Sequence, residues 1–125
     1  MPTFTTGLIT NTRATGTAAS NVIVSVRNLG SATASIVVVV FVVPMSNQAL
    51  TPMYVSGYSV TANSSDIRQF SVAGDIAYEV QYSITATNTQ VAVSTFGLDE
   101  FGNLVTEQGI LHSELIPTIG LSIQL

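Results

Sequence analysis

Tyr78-Glu79-Val80-Gln81-Tyr82-Ser83-Ile84-Thr85-Ala86 alternates without a break between apolar and polar side chains. Successive side chains of a β-strand point to opposite faces of its sheet, so this stretch reads as a strand with one face on a core. The same period of two recurs along the chain, and helical periodicity does not. Val and Thr dominate, while helix formers such as Lys and Glu are scarce. The chain is therefore expected to be all-β.

Strands are predicted near 22–28, 34–43, 53–60, 67–73, 77–86, 90–98, 103–111 and 118–125. Turn chemistry separates them, as in Asn28-Leu29-Gly30, Asn63-Ser64-Ser65-Asp66 and Ala73-Gly74-Asp75. Eight short strands at this spacing point to a single antiparallel β-sandwich of jelly-roll type. The clearest hairpin is 96–105, where Gly102 and Asn103 suit positive φ in the loop. Residues 1–20 differ from the rest: they are rich in Thr, Ala and Gly, with sparse apolar positions at Phe4, Leu8 and Ile9. They read as an extended N-terminal arm ahead of a sandwich spanning 21–125. A chain of 125 residues is one domain's worth and long enough to bury a core without disulfides.

Charge is the most unusual part of the composition. Only 8% of residues are charged, where a typical domain carries about a quarter, and Arg13, Arg27 and Arg68 are the only Lys or Arg residues. Thr, Ser, Asn and Gln take their place, and a surface so poor in charge costs little to desolvate against a partner. A net charge of −4 leaves no basic patch to neutralise phosphates, which argues against nucleic-acid binding and against anionic membrane surfaces. The longest apolar run, Ile36 to Val43, is far short of the ~20 residues of a membrane-spanning helix. Neither the basic region nor the apolar stretch of a secretory signal stands in Met1-Pro2-Thr3-Phe4-Thr5-Thr6-Gly7. The chain is thus expected to act where it is made, or to leave by lysis or a non-classical route.

The catalytic inventory is nearly empty. There is no cysteine, and His112 is the only histidine, so a Ser-His-acid site would rest on one residue near a strand end. Asp99 and Glu100 are sequence neighbours on a turn and point apart. The oxygen donors of Asp99-Glu100-Phe101-Gly102-Asn103 lack the acidic ladder and distal glutamate of a calcium loop, so a plain turn is expected. No catalytic residue, metal or cofactor is assigned. Tyr54, Tyr58, Tyr78 and Tyr82 could form a platform for sugar rings, but Tyr78 and Tyr82 share the face of Val80 and Ile84, the core-facing pattern.

Two features point to self-assembly. In Ile36-Val37-Val38-Val39-Val40-Phe41-Val42-Val43 neither face is polar, although a sandwich strand normally turns one face to solvent. Its own loops or a neighbouring subunit must cover the second face, and the subunit reading makes Val38 and Val40 interface residues. The termini supply the other feature. Ile119-Gly120-Leu121-Ser122-Ile123-Gln124-Leu125 alternates, and Phe4, Thr6, Leu8 and Thr10 offer one face of an extended arm. Such an arm can add itself to the open sheet edge of another copy, with Phe4, Leu8 and Ile9 as its apolar anchors. The alternative is that it folds back on its own sheet.

The Thr/Ser/Asn/Val-rich pattern with a detachable arm, and segments such as Val60-Thr61-Ala62-Asn63-Ser64-Ser65 and 93–105, resemble the endospore appendage subunits of spore-forming bacteria. Those are small jelly-roll proteins that stack into pilus-like fibres by an N-terminal connector and strand augmentation. The resemblance covers most of the chain and is one of pattern, without a diagnostic motif. It implies a homopolymeric helical fibre on the spore surface, with release by mother-cell lysis accounting for the missing signal. The connectors of the best-known members carry cross-linking cysteines and this one has none, so cohesion here would be non-covalent. Other readings of the same residues are a jelly-roll shell or decoration protein of a virus-like particle, and a carbohydrate-binding module.

Overall fold

The alternating segment becomes an interior strand of the larger of two sheets. The computed structural model describes residues 2–85 and 90–123. The strands are β1 (Thr3–Thr5), β2 (Ile9–Thr10), β3 (Asn21–Asn28), β4 (Ala34–Pro44), β5 (Thr51–Val60), β6 (Ser65–Ser71), β7 (Asp75–Thr85), β8 (Val91–Leu98), β9 (Leu104–Leu111) and β10 (Ile116–Thr118). A 3-10 turn at His112–Glu114 precedes β10. The larger sheet runs β10-β1-β7-β4-β5, with β2 also on β7, and the smaller runs β6-β3-β8-β9. The two pack face to face as a β-sandwich.

Pairing is nested and antiparallel. β4 pairs with β5, β3 with β6, and β1 and β2 with β7, successive pairs falling in alternate sheets. That is the winding of a jelly roll. The departure is at β8, which takes β9, the strand that follows it, as its outer neighbour.

Inward side chains obey the period of two. Ile36, Val38, Val40 and Val42 of β4 and Tyr78, Val80, Tyr82 and Ile84 of β7 meet Val22, Val24 and Val26 of β3. Both buried tyrosines keep a partner for the hydroxyl, Tyr78 donating to Gln108 Oε1 at 2.6 Å and Tyr82 bonding Thr95 Oγ1. Each buried hydroxyl is thereby spared an unpaired desolvation cost.

Seven of the eight expected strands lie within two residues of their predicted bounds, apart from Ala86, which lies outside the described residues. The eighth does not. β10 stops at Thr118, where its partner β1 ends at Thr3 beside Pro2, a residue with no N–H to donate. Residues 119–123 belong to no strand, and residues 124–125 lie outside the described residues.

The N-terminal segment is also corrected. Residues 3–5 and 9–10 are woven into the larger sheet, so residue 20 marks no division between arm and sandwich. Polar anchoring explains what sparse apolar residues did not foretell. Asn11 is fully buried; its amide donates to the carbonyls of Ala19 and Asp75 at 3.1 Å each, and its Oδ1 accepts from Ala19 N at 2.8 Å. In the β8–β9 hairpin Gly102 has φ +82°, whereas Asn103 does not take positive φ. Its N–H instead donates to Asp99 Oδ1 at 2.8 Å, as does that of Phe101 at 2.9 Å. The Asp99 carboxylate is thus spent on closing the turn.

Candidate assembly site

β1 sits between β7 and β10, paired on both sides over Thr3–Thr5. Its flanks are tied as well. Ile84 N donates to Pro2 O at 3.0 Å, and Thr6 N to Val80 O at 3.0 Å. Thr3 Oγ1 donates to Thr118 O at 2.7 Å, and Thr5 Oγ1 donates to the Glu79 carboxylate. The inward side chain is Phe4, opposite Tyr82, with its ring 5.3 Å from that of His112. Among the described residues β10 pairs with β1 alone. The first strand therefore carries the attachment of the last strand to the sheet.

Phe4 and Leu8 do not share a strand face, contrary to the period-two reading. Gly7, at φ +71°, breaks the extended backbone between them, and Leu8 lies 61% exposed in the loop. Ile9 resumes pairing opposite Tyr78 and joins the core. Val38 and Val40 are likewise corrected as interface residues, because both face the smaller sheet of their own chain and are fully buried.

The outward residues of the same apolar run include Val39 and Phe41, opposite Gln81 and Glu79. They are 0% and 3% exposed within the single chain. The C-terminal stretch supplies part of the cover: Gln81 Nε2 donates to Ser122 Oγ and Ser122 N donates to Gln81 Oε1, both at 2.9 Å. Towards β5 the cover thins, leaving Met53 and Val55 half exposed.

The smaller sheet presents the opposite situation. Ile23, Phe96 and Leu98 stand partly exposed on its outer face, and Ile67, Leu104 and Leu111 are exposed. A shallow hollow of about 310 Å³ lies towards the Arg27 end, bordered by Ile67, Leu111 and His112. Sequence reading passed over these residues because they are scattered through four strands. The signal present was local: in Val22-Ile23-Val24 the outward position is as apolar as its inward neighbours.

The remaining singled-out residues have structural settings. His112 accepts a hydrogen bond at Nδ1 from Val93 N at 3.2 Å. Tyr78 and Tyr82 are core residues whose burial pushes their phenols well above the ordinary value. Tyr54 and Tyr58 pack half-buried against the same core, so the four do not form an exposed platform. Burial pushes the Tyr58 phenol up to about 12, Asp66 adding to the shift and Arg68 opposing it. The Arg68 guanidinium lies 3.7 Å from the Tyr58 ring centroid. Among the described residues no three His, Cys, Asp or Glu side chains gather as a metal site, and no helix is long and apolar enough to cross a membrane.

No family model matches the chain, and no curated protein matches it. Among solved structures, the crystal structure of Thermotoga maritima 1070 is similar over 96% of this chain and 92% of that one, at 15% identity and a TM-score of 0.45.

Proposed function

We propose that this chain is a non-enzymatic structural subunit that assembles with copies of itself by exchanging β1, building an extracellular fibre. The observation that carries the reading is the position of β1: it is set off from the following strand by the left-handed backbone of Gly7 and fills an interior slot between β7 and β10. A neighbour's β1 would make the same backbone ladder and place the same Phe4 in the same core. Exchange of an identical element in this way forms new contacts at little net cost. Each subunit that receives a strand while donating its own extends a chain of subunits without limit. The charge-poor composition fits a surface meant to lie against copies of itself. The resemblance to endospore appendage subunits makes the spore surface the place of such a fibre and attachment its role.

The absence of native cysteine makes a direct test possible. Thr3 and Ser83 face each other across the β1–β7 ladder, within the span of a disulfide. Oxidised Thr3→Cys with Ser83→Cys should give a ladder of covalent oligomers on a non-reducing gel, collapsing to one band on reduction. A cross-link found only within single chains would show that β1 stays at home and would sink strand exchange.

A further inference from the structure

We infer that the bare outer face of the smaller sheet is a twofold self-association surface, at which two copies pack sheet against sheet. The reading of this chain as self-assembling supplies only the identity of the partner; the surface is argued on its own features.

The face is broad enough. Four strands at about 4.8 Å spacing and roughly eight residues at 3.3 Å rise give about 500 Å² in projection, which side-chain relief raises towards the ~800 Å² that each partner of a stable complex commits. Its apolar side chains lie in neighbouring ladder positions, Ile23 beside Phe96 and Leu98 beside Leu104, while Ile67, at 69% exposure, and Leu111 flank Ser25 and Ser94 from the two edge strands. Arg27 is the only charged residue at the outward positions of β3 and β8, and it lies at one end, beside Ala92 and Ser65. Its guanidinium is held in place by Asn28 O at 2.8 Å and Asn63 Oδ1 at 2.9 Å. At the other end Leu98 pairs with Leu104, and Asp99 and Glu100 follow in the turn, Asp99 accepting from the N–H groups of Phe101 and Asn103 and Glu100 paired with Arg13, so that the three side chains together keep one net negative charge.

That polarity selects the partner's orientation. A twofold axis lying in the interface and crossing the strands reverses the ends of the second copy. Arg27 of each then faces the turn of the other, whose Arg13, Asp99 and Glu100 sum to one negative charge, and exposed Leu104 faces the hollow bordered by Leu111. Both complementarities are met twice by one operation, as an isologous interface requires. A parallel arrangement would stack Arg27 on Arg27 and leave the hollow unfilled.

The test is sedimentation and negative-stain microscopy of the full chain against Ile67→Lys with Leu111→Lys. The wild type should show dimers or, where strand exchange builds filaments, laterally paired filaments. The double variant should weaken this contact by roughly 100-fold or more, giving monomers or single filaments of unchanged length. Arg27→Glu should weaken it less and in a salt-dependent way, and Leu50→Lys, on a loop of the other sheet, should leave it intact. Should the lysine pair lower the melting temperature, Ile67→Ser with Leu111→Ser repeats the test without added charge. A wild type that is monomeric and unpaired at high concentration overturns the inference, as does pairing that survives both double variants. Filament formation itself is judged separately by the Thr3–Ser83 cross-link.

Discussion

The two outer faces of the sandwich are built from similar residues and are covered to different extents, the larger being closed around β4 and open only towards Met53 and Val55 of β5. On the larger sheet Val39 and Phe41 are closed off by their own chain, with Ser122 bonded to Gln81 above them. On the smaller sheet Ile23, Ile67, Phe96 and Leu111 have no such cover. An apolar outward strand face therefore signals a need for cover without saying who provides it. The provider depends on where the termini and connecting segments run, which strand patterns do not encode.

The sharpest way to break this comparison is to charge one residue on each face. Val39→Asp would trap a carboxylate beneath the tail with no cation beside it among its ladder partners Gln81 and Val55. A buried unpaired charge costs several kcal/mol, so a loss of roughly 4–5 kcal/mol is expected, a large share of a typical domain's 5–15 kcal/mol. Urea titration followed by circular dichroism measures it. A loss below about 1 kcal/mol would mean that the face is open after all.

Gln81→Ala sharpens the same point more gently. It removes both bonds to Ser122 and the 3.0 Å bond that Gln81 Nε2 donates to Glu79. Net hydrogen-bond contributions of about 1 kcal/mol each make a loss of roughly 1–2 kcal/mol reasonable. The local effect should be larger, with faster hydrogen exchange at Ser122 and quicker carboxypeptidase trimming of residues 119–123. Unchanged exchange there would show that the tail is held by something other than Gln81.

Strand positions were legible because the two-residue period of Tyr78–Ala86 and its counterparts is a local property. The fate of the termini was not. Ile119-Gly120-Leu121-Ser122-Ile123 alternates like a strand, yet pairing needs a free partner edge, and β1 ends at Thr3. Residues 1–20 read as an extended arm because their apolar positions are sparse, whereas Asn11 fixes this segment through a hydrogen bond to the carbonyl of Asp75, more than 60 residues away. The importance of Val38 and Val40 was visible, but which face of β4 meets the smaller sheet is set by the register with β7, and that register puts them inside.

Gly109→Ala probes the bare face from below. A Cβ at Gly109 would lie 2.4 Å from Phe96 Cε1, too close to stand. Phe96 is only partly buried and can swing outward, so the loss should be about 1 kcal/mol or less while the ring becomes more exposed. Fluorine labelling of Phe96 would report the change in environment. A loss above about 3 kcal/mol would place Phe96 in a packed setting and contradict an open face.

The smallest effect is expected from Ile67→Lys alone. Ile67 sits on β6, the edge strand of the smaller sheet, opposite Ser25 and pointing away from the core. In a single chain its side chain is already 69% exposed, so replacing it removes little buried area. A lysine there has Arg27 diagonally across the ladder on the neighbouring strand, and between water-exposed charges such repulsion amounts to only a few tenths of a kcal/mol, about the size of an exposed ion pair. Monomer stability should move by no more than about 0.5 kcal/mol, the range of ordinary surface substitutions. A stability that depends on protein concentration in the wild type but not in the variant would tie that side chain to association instead of folding. A loss of several kcal/mol at every concentration would instead show that the chain itself covers Ile67, erasing the difference between the two faces.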